Sequence, residues 1–124
     1  MNQVLAIALG GAVGSVLRYA TSLGAHHLLG RGFPYGTLAV NVLGSLGIGL
    51  VYVLLVERSS LGIEWRAALI TGLLGGFTTF SAFSLETLLL LEQAEHLKAL
   101  ANIMLSVVLC LGAAWLGLYA GRQL

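Results

Sequence analysis

Four stretches of about twenty mainly apolar residues take up most of this chain, and no other feature limits its fold so strongly. The first runs from Val4 to Leu23 and carries one charge, Arg18. The second runs from Phe33 to Val56 without a charge, the third from Ala67 to Leu91 with Glu86 inside it, and the fourth from Leu97 to Ala120. Inside hydrocarbon every backbone N–H and C=O must find its partner within the protein, which leaves helices as the form such single segments take. The expected fold is an all-α membrane protein, a single four-helix transmembrane domain over 1–124 with spans at about 4–23, 33–56, 67–91 and 97–120. Only 9% of the residues are charged and 58% are hydrophobic, whereas a soluble domain carries about a quarter charged residues. A water-soluble globule is therefore excluded, and lipid is the first partner. The start, Met1-Asn2-Gln3, lacks the basic residues of a signal peptide, so the first segment is read as a retained span. Four helices are too few to enclose a pore, which predicts an oligomer.

Charge bears on orientation and on partners. A net charge of +1 without a basic cluster argues against nucleic acid. The connecting loops are Gly24–Gly32, Glu57–Arg66 and Glu92–Lys98. Arg58, Arg66 and Arg122 fall on the face that holds both termini; Arg31, Lys98 and, near its helix end, Arg18 fall on the other. Orientation follows an excess of Lys and Arg on the cytoplasmic side, and here neither side has one. The balance predicts a chain that inserts both ways up, which permits an antiparallel homodimer. His26 and His27 are expected in a solvated loop, and Cys110 reads as a small buried hydrophobe. No nucleophile–base pair or metal-ligand cluster is present, so an enzyme is not expected. Pro34 falls where the second helix begins, a position that tolerates its missing N–H.

The polar residues within the spans carry the functional signal. Membrane helices pack through small residues and buried polar contacts, and Gly10/Gly14 and Gly117/Gly121 have the spacing for that. Thr37, Asn41 and Ser45 recur every four residues on one face of the second helix, and Asn102, Ser106 and Cys110 do the same on the fourth. Either stripe alone is explained by an interhelical hydrogen bond or by a donor facing a polar path; two stripes on two helices favour the path. The third span reads Gly75-Gly76-Phe77-Thr78-Thr79-Phe80-Ser81-Ala82-Phe83-Ser84-Leu85-Glu86. Paired glycines followed by two β-branched threonines make a poor helix, and a break is expected near Gly75–Thr79. Carbonyls freed at membrane depth are tolerated when they face protein, a cavity or an ion, so the break is a candidate ion site. Phe80 and Phe83 have core-packing spacing, but aromatic edges are weakly positive. Interleaved with Ser81 and Ser84, they also suit the guidance of a dehydrated anion. Glu86 is a functional candidate as an intramembrane acid, or else a partner for Arg18.

Three stretches carry a resemblance: Gly10-Gly11-Ala12-Val13-Gly14-Ser15-Val16-Leu17-Arg18-Tyr19, Gly36-Thr37-Leu38-Ala39-Val40-Asn41-Val42-Leu43-Gly44-Ser45, and the Gly75–Glu86 run. With the four-span layout they resemble the Fluc family of fluoride channels, also called CrcB-like proteins. The resemblance implies a fluoride-selective channel in the cell inner (plasma) membrane that passively exports fluoride and lowers its cytoplasmic toxicity. It implies an antiparallel dual-topology homodimer with two pathways and a structural sodium ion at its centre, held by backbone carbonyls that fall here on Gly75 and Thr78. The implied fluoride pathway falls on Asn41, Phe80, Phe83, Thr37, Ser81, Ser84, Thr79, Asn102 and Ser106, with Arg18 and Glu86 as vestibule charges. Cys110 and Ala82 stand where hydroxyl residues are common in the family. Two other readings compete with it. A proton-coupled small multidrug exporter needs an acid in the first helix, where this chain has only Arg18. A membrane assembly factor explains the glycines but neither the polar stripe nor the break.

Overall fold

A computed structural model describes residues 2–124, and these residues are helical over nearly their whole length. Helix α1 spans Gln3–Leu29. Asn2 caps it by accepting the Leu5 amide at 2.8 Å, and Gly30, at φ +85°, ends it. A left-handed residue of this kind costs glycine little and other residues more. Helix α2 begins after Pro34, runs through Tyr35–Tyr52 and continues as a π-helical turn over Val53–Glu57. Helix α3 covers 63–77: one α-helical turn, Ile63–Arg66, a π-helical stretch, Ala67–Leu74, and a last short turn, Gly75–Phe77. Thr78 and Thr79 are extended, with ψ 160° and 118°. Helix α4 then spans Phe80–Glu92, and α5 spans His96–Gln123 after a tight turn in which Ala94 has φ +61°. Four helical segments are long and apolar enough to cross a membrane: Gln3–Leu29, Tyr35–Glu57, Ile63–Glu92 and His96–Gln123. The chain is a multi-pass membrane protein.

The helices are longer than the apolar runs. Hydrocarbon sets the length of an apolar stretch, whereas a helix continues until the backbone is forced out of it. Nothing does so on α1 before Gly30, so Gly24–Leu29 is helix where a loop is expected from the sequence. His26 and His27 accordingly lie in the last helical turn, His26 half-buried with Nδ1 3.2 Å from the Gly30 carbonyl. The extension also moves Arg18 away from the helix end. It lies eleven positions before Leu29, about 16 Å at 1.5 Å per residue.

Small residues let the backbones touch. A Cβ on Gly10 or Gly14 would collide with the Ala68 or Leu73 carbonyl oxygen, and one on Gly76 would come 2.9 Å from the Gly11 carbonyl oxygen. Helix α1 is thus seated against the π-helical part of α3. On the other side α2 lies along α5, where a Cβ on Gly49 or Gly117 would strike the facing backbone, at Ala114 and at Leu46. At the terminal end Arg122 holds Glu57 through Nη2–Oε2 at 2.8 Å, and Arg58 donates to the Arg122 carbonyl at 2.6 Å. Helix α4 is the exception. It packs over a short stretch of α5 and touches α2 at a few points, leaving much of its surface open.

Candidate functional site

Two extended residues in a membrane-spanning segment leave backbone groups that need partners, and Asn41 supplies them. Its side-chain nitrogen donates to the Thr79 carbonyl at 2.9 Å, and its Oδ1 accepts the Thr79 amide at 2.8 Å. One amide side chain on α2 thereby replaces both backbone partners that Thr79 lacks. Thr79 in turn caps α4, its hydroxyl accepting the Ala82 amide at 3.2 Å. Thr78 turns back, its hydroxyl and its amide both donating to the Leu74 carbonyl at 3.0 and 3.1 Å. These bonds have a consequence for the carbonyls. In a continuous helix Gly75 C=O would accept from residue 79 and Thr78 C=O from residue 82. Both amides are engaged elsewhere, by Asn41 and by the Thr79 hydroxyl, so both carbonyls lose their helical partners.

An open groove of about 480 Å³ lies beside this interruption, with mainly apolar walls. Asn41, Ser45, Gly75, Thr78, Thr79, Phe80, Phe83, Ser106 and Cys110 all line it. The two phenylalanine rings stand 5.3 Å apart at 44°, and Phe80, which lines the groove, is 78% exposed. Among the described residues, no side-chain hydrogen bond engages the hydroxyls of Ser45 and Ser106. They are free donors on the groove wall, one from α2 and one from α5. Residues 34 to 65 positions apart in sequence, such as Asn41 with Gly75 and Ser106, are assembled here on one surface.

Other residues expected on a pathway lie off the groove. The Thr37 hydroxyl donates to Glu86 Oε1 at 2.5 Å, tying α2 to α4, while Glu86 Oε2 is enclosed without a partner. Arg18 is not that partner: the ion pairs among the described residues are Lys98–Glu95 and Arg122–Glu57. Ser84 donates to the Phe80 carbonyl at 2.9 Å, and exposed Ser81 lies 3.4 Å from the Thr79 hydroxyl. Asn102, 2% exposed, donates to the Thr87 hydroxyl at 2.9 Å. Thr87 is the residue that sequence reasoning missed. It is 7% exposed, and its hydroxyl donates to the Phe83 carbonyl at 2.7 Å. Its signal in the sequence was weak: a threonine beside Glu86, four residues after Phe83, in a leucine-rich stretch where no stripe repeats.

Comparison with known proteins identifies the family. Residues 5–118 match the model of the family described as CrcB-like protein, Camphor Resistance (CrcB). A protein of Shewanella amazonensis named fluoride-specific ion channel FluC is 56% identical over 117 residues, which cover 94% of both chains. A Geobacter sulfurreducens protein of the same name is 50% identical over 124 residues, the full length of both. A third, from Methylococcus capsulatus, is 51% identical over 122 residues; these are 98% of this chain but 54% of the relative, so the chain spans about half that protein's length.

Proposed function

The chain belongs to the CrcB-like family, and from that premise we propose that it is a fluoride-selective channel for passive export of fluoride across the cell's inner membrane. The observation that carries the reading is the groove, on which free hydroxyls, an asparagine and two aromatic rings meet at membrane depth. Fluoride is small and strongly hydrated, so its dehydration must be offset by close donors. Ser45, Ser106 and the second N–H of Asn41 are such donors, and the ring edges add a weak positive field. None is a fixed cation, which suits an ion that must bind and also leave. The family names of the relatives point to the same substrate.

The finer reading is an antiparallel, dual-topology homodimer with two pathways and one sodium ion at its centre. The groove supports a second copy: it is open on one side, mainly apolar, and leaves most of Phe80 exposed. The carbonyls of Gly75 and Thr78, deprived of helical partners, fit a hard cation that takes oxygen ligands. Two oxygens from one chain do not complete a sodium shell, whereas two chains related by an axis supply twice as many. Sodium there supplies charge balance for freed backbone oxygens and fastens two copies. Thr37 and Glu86, bonded to each other, and Arg18 are proposed to stand where the route opens towards water.

The test is fluoride efflux from liposomes containing the purified protein, with chloride as the comparison ion. Rapid fluoride-selective efflux without a proton gradient is expected. No efflux from well-folded dimers removes the channel reading and leaves a proton-coupled exporter or an assembly factor. The cation reading has its own test. Anomalous scattering from a heavier substitute cation is expected between two copies of Gly75 and Thr78, and its absence removes that site.

A further inference from the structure

Helix α4 carries both phenylalanines, yet it is the least packed helix of the chain, with one flank open and only short contacts to α2 and α5. What holds it is polar. At its start Asn41 grips Thr79 through two hydrogen bonds, and at Glu86 the Thr37 hydroxyl grips it again. Both ties run to α2. A third runs to α5, from Asn102 to Thr87. Two ties to one neighbour still let a helix rotate about them; a tie to a second neighbour stops that rotation.

The direction of the third tie follows from the donor inventory. A threonine hydroxyl has one hydrogen, and that of Thr87 goes to the Phe83 carbonyl. Towards Asn102 the same oxygen accepts, and the Asn102 amide donates. The result is a directed relay from the Asn102 N–H through the Thr87 O–H to the Phe83 C=O, enclosed in protein, where successive hydrogen bonds polarise one another. It ends on the backbone of the ring-bearing residue. We propose that Thr87 and Asn102 are positioning residues: their relay sets the rotation of α4 and thereby the placement of Phe83 at the groove. The inference rests on the reading of Phe83 as part of a fluoride route. It gives Asn102 a different task from a donor on that route, because its amide is turned to Thr87 and it does not line the groove.

The test has two arms on the full-length protein. In the first, phenylalanine carbonyls are labelled with carbon-13 and the Phe83 signal is assigned by its loss in Phe83→Ile. Thr87→Val keeps the shape and removes the hydroxyl; Thr87→Ala serves if that variant does not accumulate as folded protein. Both Thr87→Val and Asn102→Leu are expected to move the Phe83 carbonyl signal, and Thr87→Ser to restore it. In the second arm, fluoride efflux is expected to fall roughly five- to tenfold in each of those two variants. The double variant is expected to be no slower than either single one, the signature of two residues acting through one relay. Thr87→Ser is expected to conduct within about twofold of the original.

An unmoved Phe83 signal, or unchanged efflux when the signal has moved, overturns the proposal. So does a further loss when Asn102→Leu is added to Thr87→Val, since Asn102 would then act on the ion directly. If the unaltered protein moves no fluoride, the channel reading falls, and the carbonyl signal alone decides the relay.

Discussion

Asn41 has a harder task than a lone donor on a polar face. Its amide is matched to both backbone groups of Thr79, donor to acceptor and acceptor to donor. Asn41→Asp keeps the oxygen that accepts the Thr79 amide but sets a second oxygen against the Thr79 carbonyl. A repulsive contact replaces a hydrogen bond, and negative charge enters the groove. Fluoride efflux is expected to fall by about tenfold or more, measured with a fluoride electrode on liposomes; undiminished efflux would take Asn41 out of the pathway. The phenylalanines differ from it because their rings make no hydrogen bond. Phe80→Ile and Phe83→Ile remove ring edges while keeping apolar volume, so efflux is expected to drop while size-exclusion chromatography still shows an intact oligomer. Original rates in both variants would return the rings to packing.

Helices in lipid have no hydrophobic force to press them together, so α2 and α5 depend on how closely their backbones approach. Gly117 meets the Leu46 carbonyl and Gly49 meets Ala114. Because backbone lies on both sides, no side chain can turn aside to admit a new one. Gly117→Val is therefore expected to cost about 3 kcal/mol or more, at the upper end of overpacking penalties, seen as a lower midpoint of thermal unfolding in detergent. Gly112 makes a control, since a Cβ there meets nothing within 4 Å, and Gly112→Ala is expected to leave the midpoint within a few degrees. The same helices show where interruptions come from. Paired glycines look like the weak point of the third span, yet Gly75 and Gly76 are helical, and the extended residues are Thr78 and Thr79. Glycine permits a departure from the helix; a partner such as Asn41, able to satisfy the freed backbone, decides where it happens.

Orientation belongs to the whole molecule. Counted on loops and helix ends, Arg58, Arg66 and Arg122 face Arg31 and Lys98, with Arg18 set deeper in α1. The two sides stay nearly balanced, and insertion both ways up is the proposed consequence. Reporter fusions at the C-terminus are expected to read both inside and outside in comparable amounts; a single orientation would sink the antiparallel dimer. Extra lysines added to one loop are expected to force one orientation and abolish efflux. Co-expression with a variant biased the opposite way should restore it if, as proposed, the open groove meets its inverted copy.

Hydropathy and small-residue spacing were enough to read the class of fold, because span length and close helix approach are local demands that each segment meets alone. The candidate residues were legible for a similar reason: Asn41, Ser106 and Glu86 are conspicuous in apolar surroundings. Their partners were not. That Asn41 would be spent on Thr79, Glu86 on Thr37 rather than Arg18, and Asn102 on Thr87 depends on the rotation and height of one helix against another. Those quantities come from packing across the bundle, which no single segment encodes. Thr87 shows the difference most clearly. In the sequence it is a threonine among leucines, and only the approach of α5 makes it the link between Asn102 and the backbone of Phe83.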